Sequence, residues 1–283
     1  MPMERILFCC ATTPNLHKLQ VLLPKVMPVV DSGILIVGRD DQPETIEYIK
    51  TFAPKLQYEI FPWQDSFGLS YNQFLKYGDL NTFLLILDDD EVPSDGMLKS
   101  LKPLVERSVN GTRYAQVEFR ANPISEGQDL GPCNYYRQQL IKWSPQLQYK
   151  GHLHQYLVGH FNNKAIRCDE VYYHIKSLKD EYRAAFRNYW QGGLWIHGTV
   201  EDGVKGAEWY ELRGLVTTHH PDVKTFGDLA KKIEDGTVNK EIVRWVVRTF
   251  YQFETHPHYN EPRAAKDYIF KYTQSGWDEK DYK

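Results

Sequence analysis

The stretch Thr82-Phe-Leu-Leu-Ile-Leu-Asp-Asp-Asp-Glu-Val-Pro93 decides the fold prediction, because an uninterrupted apolar run meets a block of acids inside it. Residues 83–87 are all apolar, and residues 88–91 are all acidic. A short apolar run between Asn81 and Pro93 is typical of a strand buried on both faces, as in a parallel sheet. The acids that follow repel one another, so the cluster indicates a function rather than a contribution to stability.

The acidic block itself predicts a metal site. Carboxylate oxygens are the ligands that hard divalent cations such as Mg²⁺ and Mn²⁺ prefer. On an extended backbone, Asp88 and Asp90 point to one side while Asp89 points to the other. We therefore expect an Asp-x-Asp metal pair at the carboxyl end of a strand, where open α/β sheets bind ligands. A solvated acidic turn is the alternative, and the apolar strand directly before the acids disfavours it.

The bulk properties of the 283-residue chain disfavour several classes of protein. A net charge of -3 gives no electrostatic reason to expect DNA or an anionic membrane as the main partner. The four cysteines have no CxxC spacing and suggest no disulfide framework, so we expect a reducing, cytoplasmic setting. No apolar run approaches the ~20 residues of a transmembrane helix.

The rest of the sequence alternates between strand and helix patterns with short connections, which predicts an α/β fold with a parallel sheet. Strand patterns precede the acids at 5–11, 33–38 and 56–61, and helical spacing lies between them. From about residue 179 the pattern becomes mainly helical, with helices expected at 180–196, 239–253 and 263–272. We therefore expect two domains, 1–178 and 179–283.

Together these features resemble the GT-A fold of family 2 glycosyltransferases over roughly residues 4–178. Those enzymes often carry Leu-Asp-Ala-Asp-Glu where this chain has Leu-Asp-Asp-Asp-Glu at 87–91. Their Trp…Asp-Phe-Ser segment is similar to Trp63-Gln-Asp65-Ser. Their Tyr-x-Gly-x-x-His-Glu and a later histidine on a strand are similar to residues 149–155, which include His154 and Gln155, and to His174.

The resemblance implies an α/β fold with a GT-A-like, mostly parallel sheet flanked by helices and a helical C-terminal region. It also implies a metal-dependent glycosyltransferase that moves a sugar from a nucleotide-diphosphate sugar, with a UDP-sugar favoured, and inverts the anomeric carbon. The acceptor stays open among a glycan, a lipid-linked sugar, a protein and a modified nucleic acid. The C-terminal region either binds that acceptor or only packs.

Site residues follow from the motif and the resemblance together. For Mn²⁺ or Mg²⁺ the expected ligands are Asp88, Asp90, His154 and His174. The nucleotide pocket is expected to include Thr13, Asp40, Asp41, Asp65 and Asp88. His154 is the preferred general base, because its unperturbed pKa of about 6.5 suits proton transfer. Glu91 belongs with the catalytic group as the residue that orients the metal loop.

Three departures from the family pattern leave alternatives open. Gln155 replaces the glutamate that follows the histidine and cannot act as a base, so Glu118 and Asp129 stay beside His154 as candidates. Tyr71 stands in the place of an arginine, and Lys76, Arg137 or Lys176 could supply the missing diphosphate cation. Arg39 stands where a base-contacting aspartate is expected, which leaves the nucleotide base undecided.

Two other functions compete with sugar transfer. One is a non-catalytic glycosyltransferase-like protein that binds a carbohydrate or a nucleotide. The other is a nucleotidyltransferase, which also pairs Asp-x-Asp with an α/β sheet. The latter is disfavoured because residues 12–15, Thr-Thr-Pro-Asn, form no Gly- and Lys-rich loop for a triphosphate.

Overall fold

The computed structural model of the protein describes residues 4–12, 15–39, 42–64, 66–109, 114–125, 127–151, 155–159, 164–176 and 207–251. Its contacts divide the chain into two compact units, one of residues 1–150 and 154–175 and one of residues 151–153 and 176–283. The assignment of functional domains at 1–178 and 179–283 stays a prediction. Among the described residues, no helix combines the length and the apolar character needed to cross a membrane.

The first unit begins with strand–helix units, as the sequence predicts. The strands are β1 (Arg5–Thr12), β2 (Ser32–Val37), β3 (Leu56–Ile60) and β4 (Thr82–Ile86). The helices between them are α1 (Leu16–Val26), α2 (Pro43–Lys50) and α3 (Phe67–Phe74), the last continued by a 3₁₀ turn at Leu75–Tyr77. These strands pair in parallel in the order β3-β2-β1-β4, so their carboxyl ends share one edge of the sheet.

The sheet continues beyond β4 with strands of the second half of the unit. These are β5 (Glu91–Pro93), β6 (Tyr114–Ser125), β7 (Gln128–Asp129), β8 (Tyr136–Lys142) and β11 (Lys164–Lys176), with helix α4 (Asp95–Val109) between β5 and β6. The order after β4 is β8-β6-β11-β5, and β8 pairs antiparallel with both β4 and β6. Strands β9 (Gln148–Lys150) and β10 (Tyr156–Val158) form a separate hairpin. The predicted α/β class, with a sheet flanked by helices, is confirmed.

Strand β4 is buried on both faces, which explains its uninterrupted apolar sequence. Phe83, Leu85 and Leu87 belong to a core with buried residues of α1 and α4. Leu84 and Ile86 belong to the core on the other face, which includes Tyr71 and Phe74 of α3. The strand that carries the acids is therefore held between two packed layers, and the position of its end is fixed.

The described part of the second unit contains three helices, α5 (Ala207–His219), α6 (Phe226–Glu234) and α7 (Lys240–Tyr251). Helices α5 and α7 lie against each other, with Leu212, Val216, Ile242 and Trp245 buried. The helix expected at 239–253 is therefore present. The helices expected at 180–196 and 263–272 lie outside the described residues.

Candidate functional site

The acidic block forms a tight turn directly after β4. The backbone N–H of Glu91 donates to the carbonyl of Asp88 at 3.0 Å, and strand β5 starts at Glu91. The expectation of an extended backbone at 88–90 is therefore wrong. Three successive aspartates are strong turn formers, and here that preference prevails over continuation of the strand. As a result, Asp89 and Asp90 both approach the same cation, Lys18.

Asp88 is held by two partners from other elements. Arg137 Nη1 of β8 donates to Asp88 Oδ2 at 2.8 Å, and the Tyr71 hydroxyl donates to Asp88 Oδ1. Arg137 Nη2 also donates to Tyr71 Oη at 2.7 Å. Arg137, one of the cations considered as replacements for an arginine at position 71, thus lies beside Tyr71. Lys76 instead lies 3.4 Å from Glu59 at the surface.

Glu91 is the most buried acid of the turn, with 1% of its side chain exposed. It accepts from the Asp88 backbone N–H at 2.9 Å, from Gln139 Nε2 at 3.3 Å and from Arg137 Nη1. Burial raises the pKa of the Glu91 carboxyl, and the Arg137 guanidinium opposes that rise. These contacts tie the start of the turn to its end, which is the geometry expected of a residue that orients the loop.

Asp89 joins the turn to the first strand and the first helix. Thr12 Oγ1, at the end of β1, donates to Asp89 Oδ2 at 2.7 Å. Lys18 Nζ, one turn into α1, lies 3.6 Å from Asp89 Oδ1. Burial raises the pKa of Asp89 to about 7, and the Lys18 charge acts in the opposite direction. Because β1 and β4 are parallel neighbours, the end of β1 and the start of α1 come to the edge that bears the acids.

Lys18 was missed by the sequence analysis. Its signal was available, because a basic residue in the first turn of the helix after β1 lies at the carboxyl edge of a parallel sheet. The Asn15 side chain caps this helix by accepting from the Lys18 backbone N–H at 3.2 Å. The sequence of residues 15–18 predicts the helix cap, but it does not show that Lys18 lies beside the acids that follow β4.

Asp90 lies beside His174, and both are predicted metal ligands. His174 Nε2 is 3.6 Å from Asp90 Oδ2. The pairing of β11 with β5 sets this distance, because His174 lies opposite Glu91 in the antiparallel register. The backbone N–H of Ile175 also donates to the Asp90 carbonyl at 2.8 Å. An oxygen and a nitrogen that each bind one cation at about 2.1 Å can lie up to ~4 Å apart, so this pair fits one cation.

The charge balance at the turn also fits a cation, although the described side chains do not complete its ligand set. Among the described side chains, the four carboxylates of the turn face two basic ones, Lys18 and Arg137, so acids outnumber bases there even though burial raises the pKa of Asp89 to about 7. Within the part of the chain that the structure describes, no group of three or more His, Cys, Asp or Glu side chains could hold a metal. Asp88, engaged by Tyr71 and Arg137, is oriented toward them rather than toward Asp90 and His174.

The remaining predicted residues divide into two groups. Five of them lie outside the described residues, namely Thr13, Asp40, Asp41, Asp65 and His154. The two other candidate bases are within the structure, and both have partners. Glu118 Oε2 lies 3.1 Å from Arg167 Nε, and Asp129 Oδ1 accepts from the Gly131 backbone N–H at 2.8 Å in a turn.

No protein-family model and no curated protein sequence matches the chain. Among solved structures, S. aureus TarS 1-349 in complex with UDP is 12% identical at a TM-score of 0.45, covering 96% of this chain and 91% of TarS 1-349. GalNAc-T7 with UDP, GalNAc and Mn²⁺ is 10% identical at a TM-score of 0.40, and the matched part is 90% of this chain but only 58% of GalNAc-T7.

A third similar structure is 4-diphosphocytidyl-2C-methyl-D-erythritol synthase from Anaerococcus prevotii DSM 20548. It is 13% identical at a TM-score of 0.39, with coverage of 59% of this chain and 89% of the synthase. At these TM-scores the similarity carries no conclusion about activity. The function is therefore proposed from the residues of the site.

Proposed function

We propose that the protein is a metal-dependent glycosyltransferase that moves a sugar, with inversion, from a nucleotide-diphosphate sugar to an acceptor. A UDP-sugar is the proposed donor, and Mn²⁺ or Mg²⁺ is the proposed metal. One observation carries the proposal. At the carboxyl edge of four parallel strands, a turn of four successive acids closes against a histidine whose Nε2 lies 3.6 Å from Asp90 Oδ2.

Sugar transfer requires that negative charge be neutralised on the leaving group. The bond between the anomeric carbon and a diphosphate oxygen breaks while the acceptor oxygen bonds to the same carbon from the opposite face. A divalent cation between the diphosphate and the protein stabilises the charge that develops on the departing oxygens. Asp90 and His174 would hold that cation in the described part of the site, with His154 as the further protein ligand carried over from the resemblance. Because a manganese ion accepts imidazole nitrogen more readily than magnesium does, His174 favours Mn²⁺.

The remaining residues of the turn have positioning and binding roles in this proposal. Glu91 and Arg137 fix the backbone of the turn through buried hydrogen bonds. Asp88, whose side chain is 28% exposed, is oriented by Tyr71 and Arg137 and can accept from a ribose hydroxyl or a bound water. Where His154 does not bind the metal, it is the proposed base for the acceptor proton, and Glu118 and Asp129 are the alternatives.

The nucleotide pocket is proposed at the loops that follow β1, β2 and β3. Thr13 follows the end of β1, Asp40 and Asp41 follow β2, and Asp65 follows β3. Parallel pairing brings the carboxyl ends of these strands to one edge of the sheet. This supports the proposal that the nucleotide lies across that edge, beside the acidic turn. The cytoplasmic setting is also a proposal, supported by the four cysteines, all of which are free thiols.

The substitution Asp90→Asn tests the proposal because it removes one charged ligand with little change in shape. With Mn²⁺ and a panel of UDP-, GDP- and dTDP-sugars, we expect the wild type to release nucleoside diphosphate. The variant should lose on the order of 100-fold in kcat/KM, since it weakens charge stabilisation in the transition state. Glu47→Gln on α2 is the matched control, because Glu47 is 70% exposed and pairs with the nearby Lys50.

A non-catalytic nucleotide- or sugar-binding protein is the second candidate. The engagement of Asp88 by Tyr71 and Arg137 favours it, as does Gln155 in the place of a glutamate. The same assay separates the two, because this candidate requires binding of a nucleotide sugar without release of nucleoside diphosphate. Full activity in Asp90→Asn, or a wild type that neither binds nor turns over any member of the panel, contradicts the proposed transferase.

A further inference from the structure

Lys18 occupies an unusual position among the acids of the turn. Its Nζ lies 3.6 Å from Asp89 Oδ1 and 3.9 Å from Asp90 Oδ2, and the side chain is 22% exposed. Hydrogen bonds between an ammonium and a carboxylate are about 2.7–2.9 Å long. The ammonium therefore acts on both acids as a shared point charge rather than as a directed donor to either one.

The backbone around Lys18 is fixed, so this position is a property of the fold. The helix α1 begins at Leu16, immediately after the Asn15 cap, and its Leu19 and Leu22 are fully buried. Thr12 Oγ1 meanwhile holds the other oxygen of Asp89. The long lysine side chain has four rotatable bonds beyond this rigid base, so its charged end can move while the helix stays in place.

The proposed metal site and Lys18 share an oxygen atom. The cation proposed above binds Asp90 Oδ2, which is the atom that lies 3.9 Å from Lys18 Nζ and 3.6 Å from His174 Nε2. The bound cation and the Lys18 ammonium would repel each other, because a partly buried site screens their charges poorly. A divalent cation bound to this oxygen at about 2.1 Å would lie within about 6 Å of the ammonium, which favours a lysine rotamer farther from the acids. A displaced ammonium that stays at the site needs another anion, and the diphosphate of the donor is the anion that arrives beside the cation.

We propose that Lys18 is an internal counter-cation of the acidic turn, which competes with the divalent cation in the free protein and binds the donor diphosphate in the loaded protein. The proposal rests on the proposed transferase function and adds a residue to it. Lys18 neutralises Asp89 and Asp90 while no metal is bound, and donates to a phosphate oxygen once a metal has replaced it. Metal and nucleotide consequently bind cooperatively, because each favours the same position of Lys18.

The test uses the full chain with Lys18→Met, a neutral substitution of similar length. Binding of Mn²⁺ alone is followed by electron paramagnetic resonance of the free ion, and binding of UDP by calorimetry with and without Mn²⁺. We expect Lys18→Met to bind Mn²⁺ alone about tenfold more tightly than the wild type and, with Mn²⁺ present, to bind UDP about tenfold more weakly. Lys25→Met, an exposed lysine of the same helix, should match the wild type in both measurements.

The conservative variant Lys18→Arg keeps the charge and separates a role of charge from a role in folding. It should retain both affinities within about threefold of the wild type, because a guanidinium also neutralises carboxylates and binds phosphate. The proposal is overturned if Lys18→Met leaves both affinities unchanged or weakens the binding of Mn²⁺ alone. It is also overturned if Lys18→Arg behaves like the methionine variant.

The two proposals fail in distinguishable ways. If the wild type binds neither Mn²⁺ nor UDP, the transferase proposal fails and the role of Lys18 fails with it. If the wild type binds Mn²⁺ and Asp90→Asn abolishes that binding while Lys18→Met matches the wild type, only the role of Lys18 is refuted.

Discussion

Arg137 connects two acids of the turn, Asp88 and Glu91, to strand β8. Its guanidinium contacts Asp88, Glu91 and the hydroxyl of Tyr71, and its side chain is 18% exposed. A guanidinium suits this position because its planar set of donors can satisfy several oxygens at once. Burying such a group is favourable only while its partners stay charged, since an unpaired charge in the interior is costly. The arrangement of the site and the stability of the fold therefore depend on the same contacts.

Glu91→Gln is expected to destabilise the first unit by about 3 kcal/mol, because it leaves Arg137 with one carboxylate fewer in a buried position. Equilibrium urea unfolding of the first unit measures the change. Glu106→Gln on the exposed face of α4 serves as the control and should stay within about 0.5 kcal/mol of the wild type. Equal stability of the two variants would show that Glu91 does not stabilise the turn through its charge.

At the scale of elements, the start of α7 depends on two adjacent histidines at the end of α5. Asn239 caps α7 by accepting from the Glu241 backbone N–H at 2.8 Å. The backbone N–H of Asn239 donates to His220 Nε2 at 2.8 Å, and the Asn239 side-chain amide donates to His219 Nδ1 at 3.1 Å. His219 Nε2 then faces Glu241 Oε2 at 2.8 Å. Both imidazoles act as acceptors here, which requires that these nitrogens carry no proton.

This junction makes the second unit sensitive to acid. Burial lowers the pKa of His220 below its ordinary value of 6.5, and the charge of Lys232 adds to the effect, while Asp222 opposes it. The unfolded chain therefore binds the proton more readily than the folded one. The contribution of neutral His220 to the stability of the second unit is therefore fully present above pH 6.5 and is lost as the pH falls below that value.

The expected result is faster hydrogen exchange in α5 and α7 at pH 5 than at pH 7.5, after correction for intrinsic exchange rates. His220→Gln should reduce this difference, because the glutamine carbonyl can accept from Asn239 without titrating. Helix α4 in the first unit serves as the internal reference. An unchanged pH dependence in His220→Gln would assign the effect to other groups.

The elements could be predicted from sequence where local patterns determine them. The run 83–87 predicted β4, and the strand–helix alternation before the acids predicted parallel strands there, because the spacing of apolar residues follows burial. The turn at 88–91 was predicted wrongly as extended. That error came from carrying the strand geometry past its end, where the turn preference of Asp89 and Asp90 prevails.

The long-range partners of the acids were harder to predict. Lys18 meets Asp89 and Asp90 only because β1 and β4 are neighbours in the sheet, and no local pattern around Lys18 contains that fact. Arg137 was one of three candidates for the cation that replaces an arginine at position 71, because the sequence shows the charge of Arg137 but not its position in the fold. His174 was found only through the resemblance to a family pattern.

At the scale of the whole molecule, the first compact unit contains two buried apolar cores and the acidic turn, and the described part of the second unit has buried apolar residues such as Leu212 and Trp245. A ligand that binds only the folded site stabilises the unit that contains the site. We therefore expect Mn²⁺ with UDP to slow hydrogen exchange in β4, β5 and β11. Asp90→Asn should abolish this protection, and its persistence in that variant would mean that the ligands bind elsewhere.

The pairing of β11 with β5 has a consequence for the order of events during folding. Glu91 and His174 are opposite each other in the sheet but far apart in the chain, so the loop between them must close before the two can meet. Contacts of such high sequence separation form slowly, whereas the strand–helix units before the acids involve nearer neighbours. A refolding chain should thus acquire most of its secondary structure before the proposed metal site can form. The time course of Mn²⁺ uptake during refolding would then show when the sheet is completed.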